Sequence, residues 1–206
     1  PYGVFISEKG NVINNTTKRT TGFNYGECDK SQREEIASIG GITSKGTTFI
    51  KADSYNSVGG MLKTDHLALD VNSFNASALS LSGQSTLGIS GNNYSKYSET
   101  THFGGGAVAN SAEGRIGNLN LRGSSFIAED TTGLAVGNVR AESVINTYDT
   151  ESRQSNKSTF ASSSNYVKSQ QEENVASNLQ LGKNAVITGN VEGIGDRKST
   201  RLNSSH

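Results

Sequence analysis

A chain of 206 residues with 19 basic and 19 acidic side chains has no formal net charge, which removes the electrostatic argument for nucleic acid or an anionic membrane surface. Leu, Ile, Val and Phe fill 43 positions, just above the roughly one-fifth level below which chains tend to be disordered, so a thin core is expected. Glycine at 24, proline at 1 and charged residues at 18% favour β structure with glycine turns over charged helices.

The longest apolar run, Phe103 to Ala109, is seven residues and nearly half glycine, against about 20 apolar residues for a membrane helix. No membrane-spanning segment is expected. The single cysteine, Cys28, forms no internal disulfide, so the fold must stand without staples.

In chain order, a polar arm is expected at about 14–32, rich in Thr, Lys and Asn. Short alternating stretches follow at Thr48 to Ala52, Leu67 to Val71, Leu79 to Leu81 and Leu87 to Ile89. Each marks a short strand with one buried face, with Gly, Asn, Ser and Asp between them as turn residues. A second arm is expected at about 92–113 and a third at about 146–171. Between them Ile116-Gly117-Asn118-Leu119-Asn120-Leu121 is echoed twenty residues later by Val136-Gly137-Asn138-Val139-Arg140-Ala141. Ile50, Leu69 and Ile89 are spaced by 19 and 20. A last stretch lies at Ala185 to Ile187. Residues 196–206, DRKSTRLNSSH, share neither rhythm; the string resembles a sequencing-library adapter read through as coding DNA and is set aside. Residues 1–195 are read as an internal fragment of a longer protein.

A recurrence near twenty, holding two or three strands of about four residues, fits one coil of a parallel β-helix stacking at about 4.8 Å per coil. It fits a sandwich less well. Ile50, Leu69, Ile89, Leu119 and Val139 are expected to stack inward, and Asn118 over Asn138 to form an amide ladder at a turn. The first and third arms end alike: Gln32-Arg33-Glu34-Glu35-Ile36-Ala37-Ser38 is answered by Gln170-Gln171-Glu172-Glu173-Asn174-Val175-Ala176-Ser177 with one residue inserted. The cassette is therefore an arm, a return strand, then coils.

The pattern from Glu142 to Gly193, above all the Ser-rich arm followed by VASNLQLGKNAVITG, resembles the haemagglutinin repeats of two-partner secretion exoproteins, the family of filamentous haemagglutinin adhesins and contact-dependent growth inhibition proteins. The chain has Gly182-Lys183 where that family commonly has a glycine pair, and the earlier half matches more loosely. The resemblance implies an all-β fold, a right-handed parallel β-helix with protruding polar β-hairpin arms. It also implies export through a partner outer-membrane transporter, engaged by a region outside this fragment. A secreted or cell-surface location on a Gram-negative bacterium follows, with a host or neighbouring-cell receptor and a role in adhesion or toxin delivery. The alternatives are a carbohydrate-active enzyme on the same fold and a passenger segment of an autotransporter adhesin.

No catalytic site is expected. Asp65-His66 with Ser54 or Ser57 lacks a G-x-S-x-G setting, His102 has no ligands at metal spacing, and Gly104-Gly105-Gly106 is followed by no Lys-Ser or Lys-Thr. Asp53 with Asp70, and Glu129-Asp130 with Glu142, are acidic sets of the kind glycoside cleavage uses, though aspartates are common in turns. No cofactor or metal is expected. The partner-binding candidates are the arm tyrosines Tyr94, Tyr97, Tyr148 and Tyr166, which offer wide contact area at low entropy cost; the other reading of them is cross-strand packing within a ribbon.

Overall fold

The computed structural model describes residues 2–26, 29–90 and 92–195. Cys28 and the adapter-like tail, Asp196 to His206, lie outside them. The described residues are all-β, with one parallel sheet and one antiparallel sheet.

Six successive stretches of chain build the parallel sheet. The first holds strands Gly3–Ser7 and Asn11–Ile13, the second Gly41–Thr43 and Thr47–Val58, the third Met61–Ser77, and the fourth Gly106–Arg122. The fifth holds Ser125–Asp130 and Leu134–Glu142, and the sixth Asn178–Gln180, Val186–Ile187 and Val191–Ile194. Each pairs in parallel with the next.

The third segment shows how the sequence bends. Leu62 and Thr64 point inward, then Leu67, Leu69 and Val71, then Phe74 and Ala76. A strand alternates with period two, so the alternation slips phase at Asp65 and again at Asn72. These residues and their neighbours Asn110 and Gly117 are the ones omitted from the pairing register of the third and fourth segments. Each slip is a bend that keeps the apolar side chains on one side.

Like residues therefore lie in columns. Val12, Tyr55, Phe74, Leu119, Val139 and Val191 are consecutive partners in one. Ala52, Val71, Ile116, Val136 and Ile187 form a second. A third runs Ile42, Leu62, Ala107, Phe126 and Leu179. The Phe74 ring stacks on Tyr55 at 4.6 Å and meets the edge of Phe126 at 5.3 Å, joining two columns across the interior. The amide ladder expected of Asn118 and Asn138 is present, Asn138 Nδ2 donating to Asn118 Oδ1 at 3.0 Å. A second ladder joins Asn56, Asn75 and Asn120 at 2.9 and 2.8 Å.

Ile50, Leu69, Leu119 and Val139 are buried on parallel strands as expected. Ile89 is not part of this stack: Leu79–Ser90 is antiparallel to Asn93–Phe103. The second arm thus runs from 79 to 103 rather than 92 to 113, and Gly106 onward belongs to the parallel sheet. Alternation misled because a hairpin has the same period of two as a parallel strand. The spacing of 20 from Leu69 to Ile89 is a coincidence of chain length.

The antiparallel sheet is three hairpins laid side by side. They are Thr17–Asn24 with Lys30–Ser38, Leu79–Ser90 with Asn93–Phe103, and Val144–Lys157 with Ser162–Val175. The first and third correspond to the arms expected at about 14–32 and 146–171. The second strand of each pairs with the first strand of the next, giving one six-stranded sheet.

Candidate functional site

The hairpins carry much of the exposed polar surface, and register decides which of their side chains share a face, because directly opposed residues point the same way. Gly22, Gln32, Gln84, Ser98, Asp149 and Gln170 are consecutive partners across all six strands. Two residues along, Asn24, Lys30, Thr86, Lys96, Glu151 and Lys168 make a parallel row on the same face. Two shallow grooves, of about 540 and 260 Å³, lie along these rows. The strip offers amides, hydroxyls, ammonium groups and carboxylates.

The four tyrosines divide between the two faces. Tyr94 and Tyr166 flank Arg153, each its direct partner, and share the face of the strip. The Tyr94 hydroxyl donates to Glu151 Oε1 at 2.6 Å, and Lys96 Nζ stands 4.8 Å from its ring centre. Donating that bond to a carboxylate raises the pKa of Tyr94, since the anionic phenolate would lose the bond and meet like charge. Tyr166 is 56% exposed.

Tyr97 and Tyr148 lie on the opposite face. Tyr97 donates its hydroxyl to Glu99, which pushes its pKa up to about 12. Glu99 also receives Arg33 of the first hairpin at 3.1 Å, and Tyr148 is its direct partner across the strand pair. No two of the four are directly opposed; their charged cross-strand neighbours are Arg153, beside Tyr94 and Tyr166, and Glu99, beside Tyr148.

The first two hairpins part company toward their base, where their pairing stops at Arg33 and Gly83. There an ion pair takes the ladder's place. Glu34 Oε2 accepts the Ser82 backbone N–H at 2.8 Å and Lys18 Nζ at 3.0 Å, while Lys18 also donates to the Ser80 carbonyl at 3.0 Å. The Ser82 bond is the main reason that the Glu34 pKa is lowered.

Sequence reading paired His66 with Ser54 or Ser57, and the structure separates them. Ser54 Oγ donates to Asn11 Oδ1 and Ser57 Oγ to the Gly60 carbonyl, each at 2.6 Å. His66 instead meets Ser111, Nδ1 to Oγ 2.6 Å, and Glu113, Nε2 to Oε1 3.1 Å. This Ser-His-Glu contact depends on the 45-residue offset between the third and fourth segments, which the intervening hairpin sets. Ser111 sits mid-sheet, paired with His66 on one side and Asp130 on the other.

Three of the suspected acids have other partners. Asp70 pairs with Arg115 at 3.0 Å and Glu142 stands 3.7 Å from Arg122. Asp130 Oδ1 accepts the Thr132 N–H and hydroxyl at 3.0 and 2.9 Å, and the backbone bond chiefly lowers its pKa. His102 Nδ1 lies 2.9 Å from Asn146 Oδ1. Among the described residues no three His, Cys, Asp or Glu side chains converge as a metal site, and no helix is long and apolar enough to cross a membrane.

No family model, no curated protein and no solved structure matches the chain.

Proposed function

We propose that the six segments are turns of a right-handed parallel β-helix, a shaft carrying three hairpins, and that the chain is an interaction segment of a large exoprotein of the two-partner secretion type. It is exported through an outer-membrane transporter and is secreted or displayed on a Gram-negative cell. There it acts in adhesion, or in delivering a toxin to a neighbouring cell, and not in catalysis. The stacked parallel register and the paired phase slips support the helix; the hand follows from the strong preference of parallel crossovers.

The observation that carries the functional reading is the pair of polar rows crossing every hairpin. Recognition is usually carried by projections on a rigid scaffold, and a face of hydrogen-bonding groups spread over six strands suits a broad receptor surface better than a small substrate. Asp70, Glu142 and Asp130, by contrast, are occupied by arginines or a turn.

The test removes Asn146 to Gln171 from the exported parent protein. Export is expected to continue, because the hairpin lies outside the parallel ladder, and attachment to target cells to fall. Undiminished attachment would reduce this region to a spacer. Cleavage of polygalacturonate by the purified chain would favour the carbohydrate-active enzyme.

A further inference from the structure

We infer that the lysine row of the hairpin sheet binds an extended polyuronate, a ribbon of 1,4-linked uronic acid sugars laid across the six strands. The inference rests on the reading of the polar rows as the recognition surface and names the chemistry of what they recognise.

The row through Asn24, Lys30, Thr86, Lys96, Glu151 and Lys168 alternates strictly. Every second strand presents a lysine, and the strands between present an amide, a hydroxyl and a carboxylate. Adjacent strands are about 4.8 Å apart, so neighbouring lysines stand about 9.6 Å apart and the outer two about 19 Å. Thr86 lines both grooves, with Lys30 on the first and Lys96 and Lys168 on the second. One linear ligand can therefore follow the whole row.

The cations of this row are uncommitted. Lys30, Lys96 and Lys168 are exposed, and no ion pair among the described residues holds them. On the opposite face the cations are already matched, Arg33 by Glu99 at 3.1 Å and Arg19 by Glu35 at 2.7 Å. Glu151, between the second and third lysines, accepts the Tyr94 hydroxyl instead.

A polyuronate ribbon carries the interval of the lysines. Each sugar advances it by close to one strand spacing, and successive sugars are turned over, so the carboxylates on one edge recur at every second sugar. The sugars between bring hydroxyls to Asn24, Thr86 and Glu151. A polyanion charged at every unit along that edge would instead set a negative group on Glu151, which opposes it. Tyr94 and Tyr166 lie two residues along from Lys96 and Lys168, on the same strands and the same face. They repeat the two-strand interval and offer aromatic surface to the apolar faces of the sugars. One exposed ion pair strengthens binding by roughly fivefold or less, and linking three in one chain multiplies them.

Calorimetric titration of the purified full-length chain with polymannuronate oligomers tests this. A trimer reaches two lysines and a pentamer all three, so affinity should step up between them and weaken as salt rises. Lys30→Gln, Lys96→Gln and Lys168→Gln should each weaken the pentamer roughly two- to fivefold. Lys63→Gln, the same change of charge on the parallel sheet, should leave it unchanged, and circular dichroism establishes that each variant keeps its β structure. Absence of binding overturns the proposal, as does an equal loss in all four variants, which is general charge attraction. Binding of dextran sulfate without binding of polymannuronate overturns it in favour of charge density. If the pentamer does not bind and removal of Asn146 to Gln171 still lowers attachment, the polar rows recognise a different partner; if attachment is also undiminished, the reading of the rows falls with the ligand.

Discussion

Phe74→Ala asks most directly whether the columns hold the protein together. The ring is fully buried, stacked on Tyr55 at 4.6 Å and edge-on to Phe126 at 5.3 Å. Cutting a buried phenylalanine to alanine costs about 3–5 kcal/mol, the lost transfer energy plus the cavity left behind. The upper half is expected here, because two aromatic contacts each worth about 0.5–1.5 kcal/mol go with the ring. Against a total stability of about 5–15 kcal/mol for a domain, that is a large share. Phe5→Ala is the control: Phe5 also stacks on an aromatic ring, Phe49 at 4.9 Å, but is 75% exposed, and about 1 kcal/mol or less is expected. Urea unfolding followed by tyrosine fluorescence suits a chain with seven tyrosines and no tryptophan. A Phe74→Ala loss no greater than that of Phe5→Ala would refute the claim that the interior is a packed stack.

Gly114 has φ +105°, and a Cβ there would run into the Leu69 carbonyl oxygen, whereas Gly133 has φ +79° with open space around it. Gly133→Ala should cost only the about 1–3 kcal/mol of a non-glycine residue held at positive φ, and Gly114→Ala measurably more in the same urea assay; equal losses would mean that the two segments do not approach as closely as described. Tyr97 should ionise near pH 12 rather than 10, so its contribution to stability is whole below pH 10 and drains away as the pH climbs toward 12. The tyrosinate absorbance of wild type minus Tyr97→Phe measures it, and Glu99→Gln should bring the midpoint back toward that of free tyrosine.

Much of this was legible residue by residue. The twenty-residue echo of Ile116–Leu121 in Val136–Ala141 is a true pairing register, and its asparagines do ladder. The likeness of Gln32–Ser38 to Gln170–Ser177 located two return strands. What alternation could not do was tell Leu79-Ser80-Leu81 in a hairpin from Leu67-Ala68-Leu69 in the parallel sheet, because each exposes one face at period two. The tyrosines were placed on the arms, but not the face that each occupies, since that turns on the parity of the register. The contact of His66 with Ser111 was invisible for a related reason. It requires an offset of 45, the length of a segment plus a hairpin whose ends the sequence blurs.

The parallel sheet and the hairpin sheet are also one geometric problem. Both are ladders at about 4.8 Å per strand, so hairpins leaving after every segment would need about 9.6 Å of width in half that rise and would collide. Hairpins leaving after every third segment would stand apart, and an isolated two-stranded ribbon is marginal in water. One hairpin per two segments is the interval at which the rise of the parallel sheet equals the hairpin's width, and this chain keeps it twice. The pairings at Lys30–Arg33 with Gly83–Thr86 and at Tyr94–Thr100 with Thr147–Arg153 are its product. The polar rows, which need all six strands in register, exist only because that interval is kept.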